Sequence, residues 1–295
     1  MSAADAWSPI FRLPQPPVDA VANATADFWG TVIYSTLSLC ALLYGLHYWR
    51  RTGQPIIPLM LIGGALCSTV EPFVNIVGAV WHPIVGQVSA FEIMGRSMPW
   101  FLVTGYMFYF GALGTLTYVA FRNGVTTRQF WLWATVPMGV DVVMEELMLY
   151  WDMYLYYGQQ PLILLYKLPI WWVPCNSLGE LLGVCLLVKI APLLHGWRWL
   201  LVPILIPVCD AVAYATISMP SWIVVNTPVP YWVNQLGGLA TLALALLTLY
   251  GLSLVMPTDS PLANALNGAV PGRRDVPSMP GTNRRDVGMA HRSRA

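Results

Sequence analysis

Charge is what this chain has least of: Asp, Glu, Lys and Arg make up 10% of its 295 residues, whereas 57% are hydrophobic. A composition so poor in charge cannot cover the surface of a soluble domain, and it reads as an integral membrane protein. Fifteen Lys and Arg and a net charge of +1 provide no basic surface for nucleic acid. Histidine is scarce too. His47, His82, His195 and His291 fall at predicted span ends, in connections or in the tail, so no intramembrane zinc site is expected and no metal or other cofactor is assigned. The five cysteines (Cys40, Cys67, Cys175, Cys185, Cys209) lie in apolar runs without metal-type spacing, where they pack as small hydrophobes rather than form a disulfide framework. The N-terminus lacks a basic stretch followed by an apolar core and a small-residue cleavage site, so the first span is expected to act as the targeting signal.

What is present is a series of seven apolar runs, at about 29–49, 56–80, 98–121, 129–153, 169–190, 197–219 and 231–256, each near the roughly 20 residues that a bilayer requires. The expected fold class is an all-α integral membrane protein with seven transmembrane helices. Residues 1–28 read as an irregular leader, 29–256 as the helical domain and 257–295 as a disordered cytoplasmic tail. Arg50 and Arg51, Arg122 and Arg128, Lys189 and Arg198, and the tail arginines all fall on one side, while the opposite connections hold only Arg96 and Lys167. The positive-inside bias then predicts an N-terminus outside, a C-terminus inside and a multi-pass protein of the cell membrane. In the loop at 81–97, the i,i+4 spacing of Glu92 and Arg96 suggests a short helical or re-entrant piece, with a surface salt bridge as the plainer alternative. Asn23-Ala24-Thr25 fits a glycosylation acceptor, a tripeptide common by chance. In the tail, Arg273-Arg274-Asp275-Val276 recurs as Arg284-Arg285-Asp286-Val287 and could touch anionic lipid.

Eight of the 14 acids nevertheless lie between residues 29 and 256. The densest group is Asp141-Val-Val-Met-Glu145-Glu146, followed by Asp152. At about 100° per residue, Asp141, Glu145 and Asp152 fall within roughly 40° of one another on a helix. A carboxylate at the centre of a span costs about 2.5–3.5 kcal/mol, so such a face should look into a cavity rather than at lipid. At about 1.5 Å per residue from the predicted outer ends, Glu145 lies about 12 Å deep, Asp210 about 13, Glu71 about 14, Glu180 about 15 and Asp141 about 18. Four helices thus bring acids to one layer. Glu71 precedes Asn75 by four residues, and Asn176 precedes Glu180 by four, so each pair could hydrogen-bond along its helix. Tyr106, Tyr109, Tyr150, Trp151 and Tyr214 are candidates for an aromatic lining.

With no Lys, Arg or His in the outer half of any span, some of these acids must be protonated near neutral pH. A neutral carboxylic acid in a dry pocket is a proton donor, and aromatic faces stabilise a cation formed beside it. Alternatively, the acids and amides act as polar glue between helices. Glu145-Glu146 is similar to the paired glutamates of membrane prenyl-protein proteases, but the following Arg and the intramembrane His are missing. Asp141 and Glu145 are similar to the Asp-x-x-x-Asp of membrane prenyltransferases, which need Mg²⁺ and basic residues to hold a diphosphate. The last span has no lysine for a retinal Schiff base.

The plan of about seven spans, an early acid in Val70-Glu71-Pro72, a late one in Cys209-Asp210-Ala211 and no diphosphate motif resembles the integral-membrane terpene cyclases of meroterpenoid and indole-terpenoid pathways. That resemblance implies protonation of an epoxide or olefin by an acid, with the cation running through an aromatic pocket. Glu145-Glu146 also resembles the paired glutamates of membrane lycopene cyclases, but their Pro-x-Glu-Glu is not reproduced, because Pro137 lies eight residues upstream. The expectation is acid-initiated chemistry on a lipophilic isoprenoid or polyene, with Glu71 or Glu145 as donor and Asp210 or Glu180 as partner; Asp141 and Glu146 complete the acidic set. Asn75, Asn176 and the aromatic residues would bind substrate, and the partners are that substrate and membrane lipid. The alternatives are a proton- or cation-coupled carrier using the same acids and a non-catalytic lipid-binding protein.

Overall fold

The computed structural model describes residues 13–268, so the tail repeat and most of the segment Trp7 to Leu13, read from sequence as interfacial, lie outside the described residues. The described chain is predominantly helical, and six of its helical stretches are long and apolar enough to cross a membrane. Helix α1 (Ala24–Thr52) starts earlier than expected because Asn23 caps it: its side-chain oxygen accepts from Thr25 N (3.1 Å) and Ala26 N (3.2 Å). Gly53, in the left-handed conformation, ends it by donating to Trp49 O.

The second span is broken. Helix α2 (Ile56–Cys67) stops at Ser68, and α3 (Glu71–Val77) restarts with Glu71 in its first turn, one residue before Pro72. Proline cannot donate to the preceding turn, and Ser68 and Thr69 hydroxyls take up the carbonyls of Ala65 and Leu66, 2.7 Å each. The third span is continuous but changes pitch, from α4 (Trp100–Tyr106) through a π-helical segment (Met107–Leu113) into α5 (Gly114–Arg122). Helix α6 (Thr127–Tyr150) opens with a capping box between Thr126 and Gln129 and carries Pro137 and the acids Asp141, Glu145 and Glu146. It matches the six in length but is the most acidic of the long helices. Helix α7 (Trp172–Ile190) packs on α8 (Leu201–Ile217), which also breaks, at Ser218, before a short α9 (Met219–Val225). Helix α10 (Tyr231–Val255) follows, and a short α11 (Pro261–Gly268) occupies part of the stretch expected to be disordered.

Helix α7 is central, with 72% of its apolar window buried, whereas α1 is peripheral, with 11%. Helices α2, α7 and α8 form the packed middle, and α2 also lies against the π segment. There the backbones nearly touch: a Cβ on Gly64 would stand 2.7 Å from Gly111 N and from Tyr106 O. Small residues at this crossing permit the approach.

Two small sheets close the end of the bundle where α3 and α6 finish. Strand β1 (Val80–Trp81) pairs with β4 (Leu155–Tyr156), joining the chain after α3 to the chain after α6. Strands β2 (Ser89–Ile93) and β3 (Arg96–Pro99) form a hairpin whose turn residues, Met94 and Gly95, both have positive φ. This corrects the helical or re-entrant expectation for the loop. Glu92 pairs in register with Ser97, and Arg96 is buried, its guanidinium 4.9 Å from the centre of the Trp81 ring and its Nη2 donating to Tyr157 OH at 2.9 Å.

Candidate functional site

Two small adjoining cavities, of about 40 and 50 Å³, lie between the α3, α4 and α6 to α8 walls beneath the β1–β4 pair. They share Phe101, Leu102, Tyr106, Glu145, Met148 and Asn176. Asp141 and Tyr109 complete the first; Glu71, His82, Tyr154, Tyr156, Trp172 and Tyr214 belong to the second.

Each acid here has its own hydrogen-bonding partners. The Tyr106 hydroxyl donates to Glu71 Oε2, and among the described residues Oε1 takes no hydrogen bond. Glu145 Oε2 accepts from both Tyr154 and Tyr156, the latter at 2.8 Å. Asp141 accepts from the Asn176 amide at 3.0 Å on each oxygen, while the Asn176 carbonyl takes the Tyr214 hydroxyl. One amide therefore couples α6, α7 and α8. Tyr109 OH reaches Pro137 O at 3.2 Å and Ser177 Oγ at 3.1 Å. The π segment widens the helix where Tyr109 and Phe110 project, a local irregularity common at functional sites. The walls are aromatic and in mutual contact. Trp172 stacks on Trp171 with centroids 4.3 Å apart, and Tyr106 meets Phe110 edge-on at 5.1 Å.

Several expected residues lie elsewhere. Glu180 is buried, but it accepts from Thr117 Oγ1 at 2.8 Å between α5 and α7, and among the described residues its second oxygen has no partner. Asp210 is 1% exposed; among the described residues neither oxygen takes an N–H or hydroxyl donor, the Cys67 thiol lies beside it, and it is tucked against α7 so closely that a Cβ on Gly179 would be 2.5 Å from Oδ1. Neither lines the two cavities. Glu146 is half-buried beside them and does not line them. Tyr150 (64% exposed) and Trp151 (47%) project outward from the end of α6, away from the acid cavities. Asp152 makes an exposed salt bridge with Lys167, 2.9 Å.

The helix-face pairs are also rearranged. Asn75 turns to His82, with Nδ2 3.1 Å from Nδ1, not to Glu71, and Asn176 turns to Asp141 and Tyr214, not to Glu180. His82 was assigned to an interface, yet it is buried on the wall of the second cavity. Burial, with the Arg96 guanidinium adding to it, lowers its pKa from 6.5 to about 3, so it stands there as a neutral imidazole. His82, Tyr154 and Tyr156 come from connections, and the sequence signal for the two tyrosines is local: they stand nine and eleven residues past Glu145.

Comparison with known proteins leaves the site to be read on its own: no family model, curated protein or solved structure matches the chain.

Proposed function

We propose that the chain is a membrane-embedded cyclase, or a related isomerase or hydratase, that starts its reaction by protonating a lipophilic isoprenoid or polyene. The carrying observation is that Glu71 and Glu145, from separate helices, face one narrow aromatic cavity with phenols on both carboxyl groups. Glu71 is the donor, since it holds one phenol and has an oxygen to spare, and Glu145, held by two, is the fixed anion beside the developing cation. The Glu71 proton adds to a terminal olefin or epoxide, the carbocation closes onto a neighbouring double bond, and loss of a proton back to the Glu71 carboxylate regenerates the acid. For an olefin the product is an isomer of the substrate. Trp172, Tyr106 and Phe101 offer the cation their ring faces.

In this reading α6 is the seventh span, its acids turned inward, and the arginine-rich connections put the N-terminus outside and the C-terminus inside the cell membrane. Glu71→Gln and Glu145→Gln are expected to fold and to lose about 100-fold or more of the turnover of a prenylated substrate, followed by mass spectrometry and NMR. Unchanged product from both variants would sink the assignment.

Asp210 and Glu180, buried away from this cavity with Glu180 held by Thr117 on one oxygen only, favour a second reading, a proton- or cation-coupled carrier. Proteoliposomes separate the two, because a carrier changes only where its substrate is and a cyclase changes what it is.

A further inference from the structure

Helix α1 rests on α2, α4 and the π segment, whereas α6 rests on α7. Between α1 and α6 run two apolar furrows. The one nearer the hairpin end, about 450 Å³, has Trp29, Ile33 and Tyr34 on one side and Leu147, Met148 and Trp151 on the other. The second, about 530 Å³, continues along the same helices between Leu37 and Val136, Gly139 and Val143, with Phe108 behind them. From Thr135 to Trp151 the α6 wall runs about 24 Å. Neither furrow is lined by a charged side chain.

The furrows adjoin the first acid cavity. Tyr34 lines both furrows and that cavity; Met148 is shared by the first furrow and the cavity, and Met144 by the second furrow and the cavity. Tyr34, Met144 and Met148 thus each face the acid cavity and a furrow, and two of the three are unbranched thioethers that change rotamer easily. Tyr34 leans on Phe108, with ring centres 6.3 Å apart. A site within the bilayer needs a way in for a substrate that does not dissolve in water, and here a single layer of side chains separates the furrows from the acid cavity.

We propose that the α1–α6 groove is the lateral access route and the binding site for the hydrocarbon tail of the substrate, an extended isoprenoid or polyene chain taken from the bilayer, with Tyr34, Met144 and Met148 as the threshold to the acids. The class of chain rests on the function proposed above. The route rests on the geometry of the groove.

The test uses the full-length protein in nanodiscs with a diazirine-bearing polyprenyl alcohol, and in parallel a diazirine-bearing phosphatidylcholine. The polyprenyl reagent is expected to label peptides containing Tyr34 and Met144 to Met148, and unlabelled polyprenol is expected to compete. Gly139→Trp fills the second furrow from a position where a Cβ meets nothing within 4 Å, so the variant is expected to keep the wild-type melting temperature and lose most of the labelling. Gly139→Ala should retain it. Should Gly139→Trp misfold, Val143→Trp, at an exposed position on the same wall, replaces it. Labelling that polyprenol does not displace, or that phosphatidylcholine reproduces equally, means bulk lipid fills the groove. Crosslinks to a second copy mean a protein interface, and labelling unchanged by the tryptophan places the route elsewhere. Each of these overturns the proposal. If labelling behaves as expected while Glu71→Gln leaves product formation intact, the route stands and the cyclase chemistry falls.

Discussion

Asn176 joins three helices with one amide, giving its N–H groups to Asp141 and its carbonyl to Tyr214. Removing it strands a buried carboxyl group. Asn176→Leu is expected to lower stability by about 1–3 kcal/mol, read as a fall in the unfolding midpoint in detergent, and Asn176→Gln should lose less. Spacing made Asn176 a candidate, but it paired the amide with Glu180 on its own helix; a side chain within reach of two neighbouring helices finds partners that i,i+4 counting does not contain.

His82 supports a prediction of a different kind. Its pKa is about 3 in the folded protein against 6.5 when unperturbed, so between these values the unfolded chain binds a proton that the folded chain refuses. Stability from this group is therefore complete above about pH 6.5 and falls as pH drops toward 3, by up to about 1.4 kcal/mol per pH unit. His82→Gln should flatten that slope in a pH series of unfolding midpoints; an unaltered slope would mean that other groups account for it. Sequence reading left His82 outside the site because it stands between apolar runs. It enters the cavity wall through the chain reversal after α3, which brings it beside Asn75 and against Tyr154, ring centres 5.3 Å apart.

At the scale of elements, glycines show where packing and composition part company. Gly64 and Gly139 both sit in apolar helical runs and look alike in one dimension. In the fold, Gly64 faces the backbone of the π segment, whereas Gly139 faces open space. Gly64→Ala must push α2 off Gly111 and Tyr106 and is expected to cost about 1–3 kcal/mol, with loss of the cavity that Tyr106 lines. Gly139→Ala should be neutral or slightly stabilising, by up to about 1 kcal/mol, because alanine is the better helix former. Thermal unfolding of the two variants side by side checks the contrast. The break in the second span falls at Pro72, well inside an apolar run, where a proline frees a carbonyl. The π segment had no such marker: Met107 to Leu113 reads as ordinary helix, and its pitch is a response to α2 lying against it.

For the molecule as a whole, the proposed topology makes a direct prediction. A cysteine at Ser89, in the hairpin, should react with a membrane-impermeant maleimide on intact cells. One at His195, in the connection between α7 and α8, should react only after permeabilisation. The reverse pattern would invert the orientation and put the acid cavity in the inner half of the bilayer.

Composition pointed to a protein built for an apolar solvent, and apolar runs of about 20 residues pointed to helices, which satisfy their own backbone within each segment. Rise per residue then predicts a depth for each acid, because depth is a property of each helix by itself. Which acids meet is a matter of azimuth around the bundle, and azimuth is set by neighbours. Glu71, Asp141 and Glu145 turn to the adjoining cavities, whereas Asp210 and Glu180, at similar predicted depth, are turned into helix seams. The phenols that hold Glu145 carry only a local signal for a related reason: Tyr154 and Tyr156 belong to a two-residue strand pairing and its approach, too short to carry any period, and the closure of β4 on β1 puts them over the acid.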